Sequence, residues 1–220
     1  MYSEGSAAGA APQSASINSG AGGDRLNCLM GYESVRLFVE RATWSEPEFR
    51  LTTANRAAVV RLCDLAGLAR RQGDLARARE IVEEALATAR TTRSTTLQTL
   101  CLNYLAFYHY LEGNRDQMES QCRESLGLAA EAGEMERIAA ALRRFGVLNI
   151  QRKNIPRASC LLGAADRLQN EIGVVFGMEQ EILAEAGRHL ALNSEDPASR
   201  AAWDKGHAMS WEQAVAYALE

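Results

Sequence analysis

His109, His189 and His207 are the first residues of this 220-residue chain to weigh for chemistry, and their spacing supplies none. A zinc site needs ligands that converge, as in His-Glu-x-x-His, whereas no two of these histidines fall on neighbouring turns of one helix. Ser210 lacks the Gly-x-Ser-x-Gly elbow that presents a nucleophile; Ser210-Trp211-Glu212-Gln213 reads instead as a helix-capping box. Glu83-Glu84 and the group Glu131, Glu134 and Glu136 fall on polar helix faces, where carboxylates are solvated. Cys28, Cys63, Cys101, Cys122 and Cys160 are scattered along the chain, with no Cys-x-x-Cys pair. An odd, dispersed set does not suggest a disulfide framework. Three of them sit in apolar helical patterns, where reduced cysteine acts as a small hydrophobe. The expectation is a protein with no catalytic group, no metal and no cofactor, in a reducing compartment, the cytoplasm.

Charge narrows the partners. The chain has 24 Lys and Arg against 28 Asp and Glu, a net charge of -4, which argues against direct nucleic-acid binding and against an anionic membrane surface. Lysine occurs only at Lys153 and Lys205, so any positive site must be built from arginine. No apolar run approaches the ~18 residues of a membrane span, and the stretch 1–25 lacks the charged start and apolar core of a signal peptide.

The elements that would position a site are helices. Ala, Leu, Glu and Arg dominate over β-branched residues, and aromatic content is 6%. Residues 1–31 are rich in Ala, Gly and Ser and hold too few large apolar groups to offset ordering entropy, so a disordered tail is expected. Residues 32–56 form a helical lead-in, in which Val35, Leu37, Phe38, Val39 and Trp44 make an amphipathic helix stopped by Pro47. After Thr52-Thr53 a helix runs through Val59, Leu62 and Leu65 to Gln72. Gly73-Asp74 then ends it and caps the next. The same grammar returns at Gly113-Asn114 and at Lys153-Asn154, where Pro156 is tolerated in a first turn.

These signals repeat with a period of 40 over positions 57–172. Leu62, Leu65 and Ala66 become Leu102, Leu105 and Ala106, then Leu142, Phe145 and Gly146. Ala78, Val82 and Ala85 become Met118, Cys122 and Ser125, then Ala158, Leu162 and Ala165. Small residues at 66, 106 and 146 let antiparallel helices approach, and the large ones fill the space to the next pair. A period near 40 suits HEAT or armadillo units. The internal spacing of 12, 4 and 3 from Ala66 to Ala85 instead follows the tetratricopeptide pattern, whose usual unit is about 34 residues. The fold expected is all-α, a tetratricopeptide-like α-solenoid of antiparallel helix pairs with a C-terminal capping helix. Residues 173–220 hold a degenerate fourth unit, with helices expected near 178–192 and 197–204, and a final helix from Ser210 that covers the end of the stack.

The stretch Leu161-Leu162-Gly163-Ala164-Ala165-Asp166-Arg167-Leu168, followed by Ala201-Ala202-Trp203, Gly206, Met209-Ser210 and Ala214-Val215-x-Tyr217-Ala218-Leu219, resembles the C-terminal end of bacterial STAND-type regulators. Those are multidomain ATPases, LuxR-like among them, in which a signal-transduction ATPase precedes a tetratricopeptide array. Ser34-Val35-Arg36-Leu37-Phe38-Val39-Glu40-Arg41-Ala42, with Phe49, Leu51-Thr52 and Asn55, resembles a stretch late in that ATPase module. The winged-helix region expected between the two is missing. The resemblance implies signal transduction and transcription regulation, but not ATP binding, because the chain has no Gly-Lys pair and so no P-loop. Nor is a basic recognition helix evident.

What remains is a groove. In tetratricopeptide arrays the first helix of each pair lines a concave face, here including Arg70, then Asn103, Phe107 and Tyr110, then Arg143 and Ile150. Phe107 and Tyr110 would pack an apolar side chain, and Asn103 and Arg143 would hold a carboxylate or backbone. Phe107 alternatively packs between neighbouring units. His109 shares a repeat position with Ala69 and Asn149, which suits a groove-lining or structural role. The expected function is a non-catalytic, regulatory interaction module that binds a protein or peptide, with self-association left open. The alternative is a truncated regulatory fragment of a nucleotide-dependent STAND-type transcription regulator.

Overall fold

Helix ends recur at a constant step, half of the sequence repeat. In the computed structural model, which describes residue 26, residues 28–173, residues 186 and 187, and residues 196–220, the backbone turns left-handed at Gly73, Arg93, Gly113, Gly133, Lys153 and Gly173. After each of the first five, the next amide reaches back to the carbonyl five positions earlier. Asp74 N–H donates to Ala69 O at 3.0 Å, and Asn114 and Asn154 N–H donate to His109 and Asn149 O at 2.8 and 2.9 Å. This closure satisfies carbonyls that a helix end leaves open, and glycine takes the required φ without a steric penalty. The next helix starts at once: Asp74 Oδ1 accepts from Arg77 N–H at 2.9 Å, and Ser94 Oγ from Leu97 N–H at 3.4 Å.

The elements are α1 Glu33–Ser45, α2 Arg56–Val60, α3 Gly67–Arg71, α4 Leu75–Thr91, α5 Thr95–Glu112, α6 Arg115–Ala132, α7 Met135–Gln151, α8 Ile155–Ile172, α9 Pro197–His207 and α10 Trp211–Leu219. Among the described residues there is no strand, as the all-α expectation requires. The helix expected over 57–72 is interrupted by a π-helical segment, Arg61–Ala66, between α2 and α3. Helices pack as pairs, α2–α3 with α4, α5 with α6, and α7 with α8, each pair resting on the next.

The small positions do what their size suggests. Ala66 and Ala106 are fully buried, and a Cβ added at Gly146 would come within 2.6 Å of Leu162 Cδ2. Tighter still is the crossing of α8 and α9. A Cβ on Gly206 would overlap Cys160 O, and one on Gly163 would overlap Trp203 O. This contact sets the phase of α9. Ser199 and Gly206 are buried while Ala198 is exposed, so the buried face runs one position later than a strict repeat shift from Ala158 would place it.

Two apolar clusters form the core. One joins α1–α5 with Val147, Leu162 and Ala186; the other joins α6–α8 with α10. α5 lies between them and contributes to both, through Leu105 and Phe107 to the first and Ala106 to the second. Leu29 and Met30, inside the segment expected to be a tail, pack on the first cluster. Residues 1–25 lie outside the described residues, as do His189 and nearly all of the helix expected over 178–192.

α10 has the capping box foreseen at its start: Gln213 N–H donates to Ser210 Oγ at 3.3 Å and Ser210 N–H to Gln213 Oε1 at 2.9 Å. Its seat differs from expectation. Instead of covering the end of the stack, α10 lies against α6, α7 and α8, with Ala214, Val215 and Ala218 in the second cluster. Arginines hold its last turn there. Arg123 Nη1 donates to Leu219 O and Arg157 Nη2 to Tyr217 O, both at 2.7 Å, which suits the negative end of a helix.

Candidate functional site

Of the six residues expected to line a groove, the structure turns three into internal contacts. Asn103 is buried, and its Oδ1 accepts from Ser125 Oγ at 2.8 Å and from Arg144 Nη1 at 3.2 Å. Phe107 is 2% exposed; its ring lies 6.1 Å from Tyr108 and 6.3 Å from Tyr110. Arg143 is buried and donates from Nη2 to Gln169 Oε1 at 3.0 Å. Asn103 and Phe107 lie on faces of α5 that neighbouring helices cover, as most of that helix is buried from Thr96 to His109, and Arg143 is buried in the same way on α7. Arg70, Tyr110 and Ile150 are only partly buried and do not converge with the other three on an open surface.

An open cleft of about 560 Å³ lies elsewhere, between α4, α5 and α6. Its size is that of a ligand or side-chain pocket. Regular spacing aligns its walls. α4 gives Arg79, Glu83, Leu86 and Arg90, one stripe along successive turns, and α5 gives Leu105, His109 and Glu112 at steps of four and three. Asn114, Gln117 and Gln121 complete it from the turn and α6. The sequence rule for a concave face looks at the first helix of each pair and so passes over this cleft, which second helices frame. Of the residues weighed for chemistry from the sequence, His109 and Glu83 line it.

Charge in the cleft is balanced, two arginines against two glutamates. Arg79 pairs with Glu83 at 3.1 Å and approaches Glu112 at 3.7 Å; Arg90 reaches across to Glu124 on α6 at 2.5 Å. Arg79 Nε and His109 Nδ1 both face the Glu112 carboxylate, at 3.7 and 3.5 Å, and the buried Gln121 Oε1 makes no hydrogen bond. His109 is 7% exposed. Burial lowers its pKa below the ordinary value of 6.5; Glu112 opposes that and Arg79 adds to it, so the imidazole is neutral at pH 7. Buried polar atoms of a native protein are ordinarily paired, so the unpaired Gln121 Oε1 leaves one acceptor in the cleft open to a donor.

Two of the buried thiols are held in their neutral form. Burial pushes Cys101 to about 12 and raises Cys160, which keeps both protonated at neutral pH. Among the described residues no group of three His, Cys, Asp or Glu side chains is placed to hold a metal, and no helix is long and apolar enough to cross a membrane. Comparisons with family models, with curated proteins and with solved structures find no match to the chain.

Proposed function

We propose that this chain is a non-catalytic interaction module of tetratricopeptide-like helix pairs that binds a protein or peptide partner in the cleft between α4, α5 and α6. One observation carries the reading: the cleft combines about 560 Å³ of open space with charged and amide side chains from three helices, among them the buried Gln121 Oε1, which makes no hydrogen bond. A partner supplying a donor there gains the bond that the chain alone leaves unmade. The solenoid assignment draws support from the sequence repeat and from the left-handed turns that divide it in half. A regulatory role and kinship with STAND-type regulators belong to the same proposal and rest on the C-terminal motif and the stretch 34–55, and a cytoplasmic location rests on the dispersed, unpaired cysteines.

Selection from a random peptide library tests the site. Binders enriched on the unsubstituted chain are expected to be lost on Arg79→Glu/Gln121→Trp and kept on Tyr110→Ala/Ile150→Ala. The reverse pattern would move the partner to the face first expected from sequence. A library that yields no binder would remove the reading.

A further inference from the structure

α10 reaches its groove around a corner unlike the turns before it. From α4 to α9 each helix packs on the next, whereas α10 packs on α6, α7 and α8, with Ala214, Val215 and Ala218 in one cluster with Leu126, Phe145 and Leu161. The six earlier turns are each fixed by a left-handed residue, and the corner at 208–210 has none. Ala208 is still helical, at φ -88° and ψ -9°, and the extended Ser210, at φ -67° and ψ 163°, completes the bend. No Gly or Pro stands from His207 to Glu220, and Ala208 and Met209 are strong helix formers. Up to this corner α9 is locked, because Gly206 and Gly163 bring its backbone against that of α8.

We infer that this corner is a hinge, and that two copies of the chain exchange α10, each seating it in the other's groove between α6, α7 and α8. The fold itself displays the occupant that fits the groove. A second copy carries the same nine-residue helix, Trp211–Leu219, with the same carbonyls for Arg123 and Arg157 to bind. Opening takes little. Turning ψ of Ser210 to about -42°, with Met209 following, continues α9 into α10 as one helix of about 35 Å and carries α10 off its own seat. Ala208 and Ser210 are exposed and Met209 is only partly buried, so the corner moves without unpacking the core. The straight form gives up the capping box at Ser210 and gains the backbone hydrogen bonds of a continuous helix. Contacts between α10 and its seat are made again with the other copy, so the two forms differ at the hinge, and protein concentration sets the balance. The exchange uses none of the residues that line the open cleft.

Sedimentation of the full chain over a dilution series, with a diazirine-bearing side chain in place of Leu219, tests this. Light and isotopically heavy chains are mixed and equilibrated before irradiation. A monomer–dimer equilibrium is expected. In the dimer fraction, cross-links from position 219 should run from heavy chains to α6, α7 or α8 of light ones; in the monomer fraction they should stay within one chain. Ser210→Ala removes the cap that holds the bend and should tighten the dimer about tenfold or more, because two hinges open in each. Ala208→Gly favours the bend over the straight helix and should loosen the dimer by a similar factor. A chain that stays monomeric even with Ser210→Ala, or dimers in which position 219 cross-links only within its own chain, would overturn the inference. So would equal or opposite shifts from the two hinge variants. If Ser210→Ala only frays α10, cross-links into the groove disappear from both fractions, and that result also counts against the hinge.

Discussion

Glu83 and Arg123 hold the same place in successive helix pairs, one repeat apart, and only one of them holds a helix end. Arg123 donates to Leu219 O at 2.7 Å, whereas Glu83 pairs with Arg79 at 3.1 Å beside an open cleft. One repeat position thus serves as an anchor in one groove and lines an open cleft in the next.

The anchors on α10 are expected to act locally. Arg123→Ala or Arg157→Ala removes a charge-assisted hydrogen bond to a helix end, worth about 1–2 kcal/mol where partly exposed. Amide hydrogen exchange should accelerate over 214–219 and change little in α5. Unchanged protection of α10 would show that its apolar face suffices.

The α8–α9 crossing fixes a sign. An exposed helical Gly→Ala replacement gains about 1 kcal/mol from propensity. At Gly206 and Gly163 the added methyl would overlap a facing backbone carbonyl, so each change should instead destabilise by about 1–3 kcal/mol or more. Denaturant midpoints of Gly206→Ala and Gly163→Ala read this directly, and a raised midpoint would mean that the helices lie further apart.

Arg93 and Lys153 occupy left-handed positions, at φ of 54° and 59°, that glycine fills in the other four turns. Lys153→Gly and Arg93→Gly should each stabilise by about 0.5–1 kcal/mol. Gly113→Ala should move the melting temperature the other way.

These two residues also explain how far the sequence could be read. The repeat showed in the apolar positions, and the turns at Gly73 and Gly113 were plain, as were the capping box at Ser210 and the small position at Gly146. The half-repeat step was hidden because one of its turns falls at Arg93, which carries no turn signal of its own, whereas the turn at Lys153-Asn154 was legible from its place in the 40-residue repeat. The site was harder. Asn103, Phe107 and Arg143 have the types of ligand-binding residues, but burial depends on what packs against α5 from both sides, which periodicity does not reveal. The cleft consists of ordinary charged and amide side chains that acquire meaning only where three helices bring them together.

Acid should separate two groups. The His109 pKa is depressed, so the fold favours its neutral form; the stability this gives is complete above about pH 6.5 and is lost as pH falls through the lower folded value. Burial pushes the Glu119 carboxyl up, but Arg152 and Arg123, at 2.6 and 3.1 Å, outweigh burial and hold it below the ordinary 4.5, so its contribution fades only in stronger acid. His109→Asn, which installs the residue found at the equivalent Asn149, should flatten the stability curve below about pH 6.5. Thermal melts across that range would show it, and a slope identical to that of the unsubstituted chain would exclude His109 as its source.

The most direct measurement is a map of amide and side-chain chemical shifts during titration with a peptide enriched from the random library. Changes gathered on Arg79–Arg90, Leu105–Glu112 and Asn114–Gln121, with the His109 ring among them, are the expected result. Changes centred on Arg70, Tyr110 and Ile150, or displacement of α10 from its groove, would contradict it.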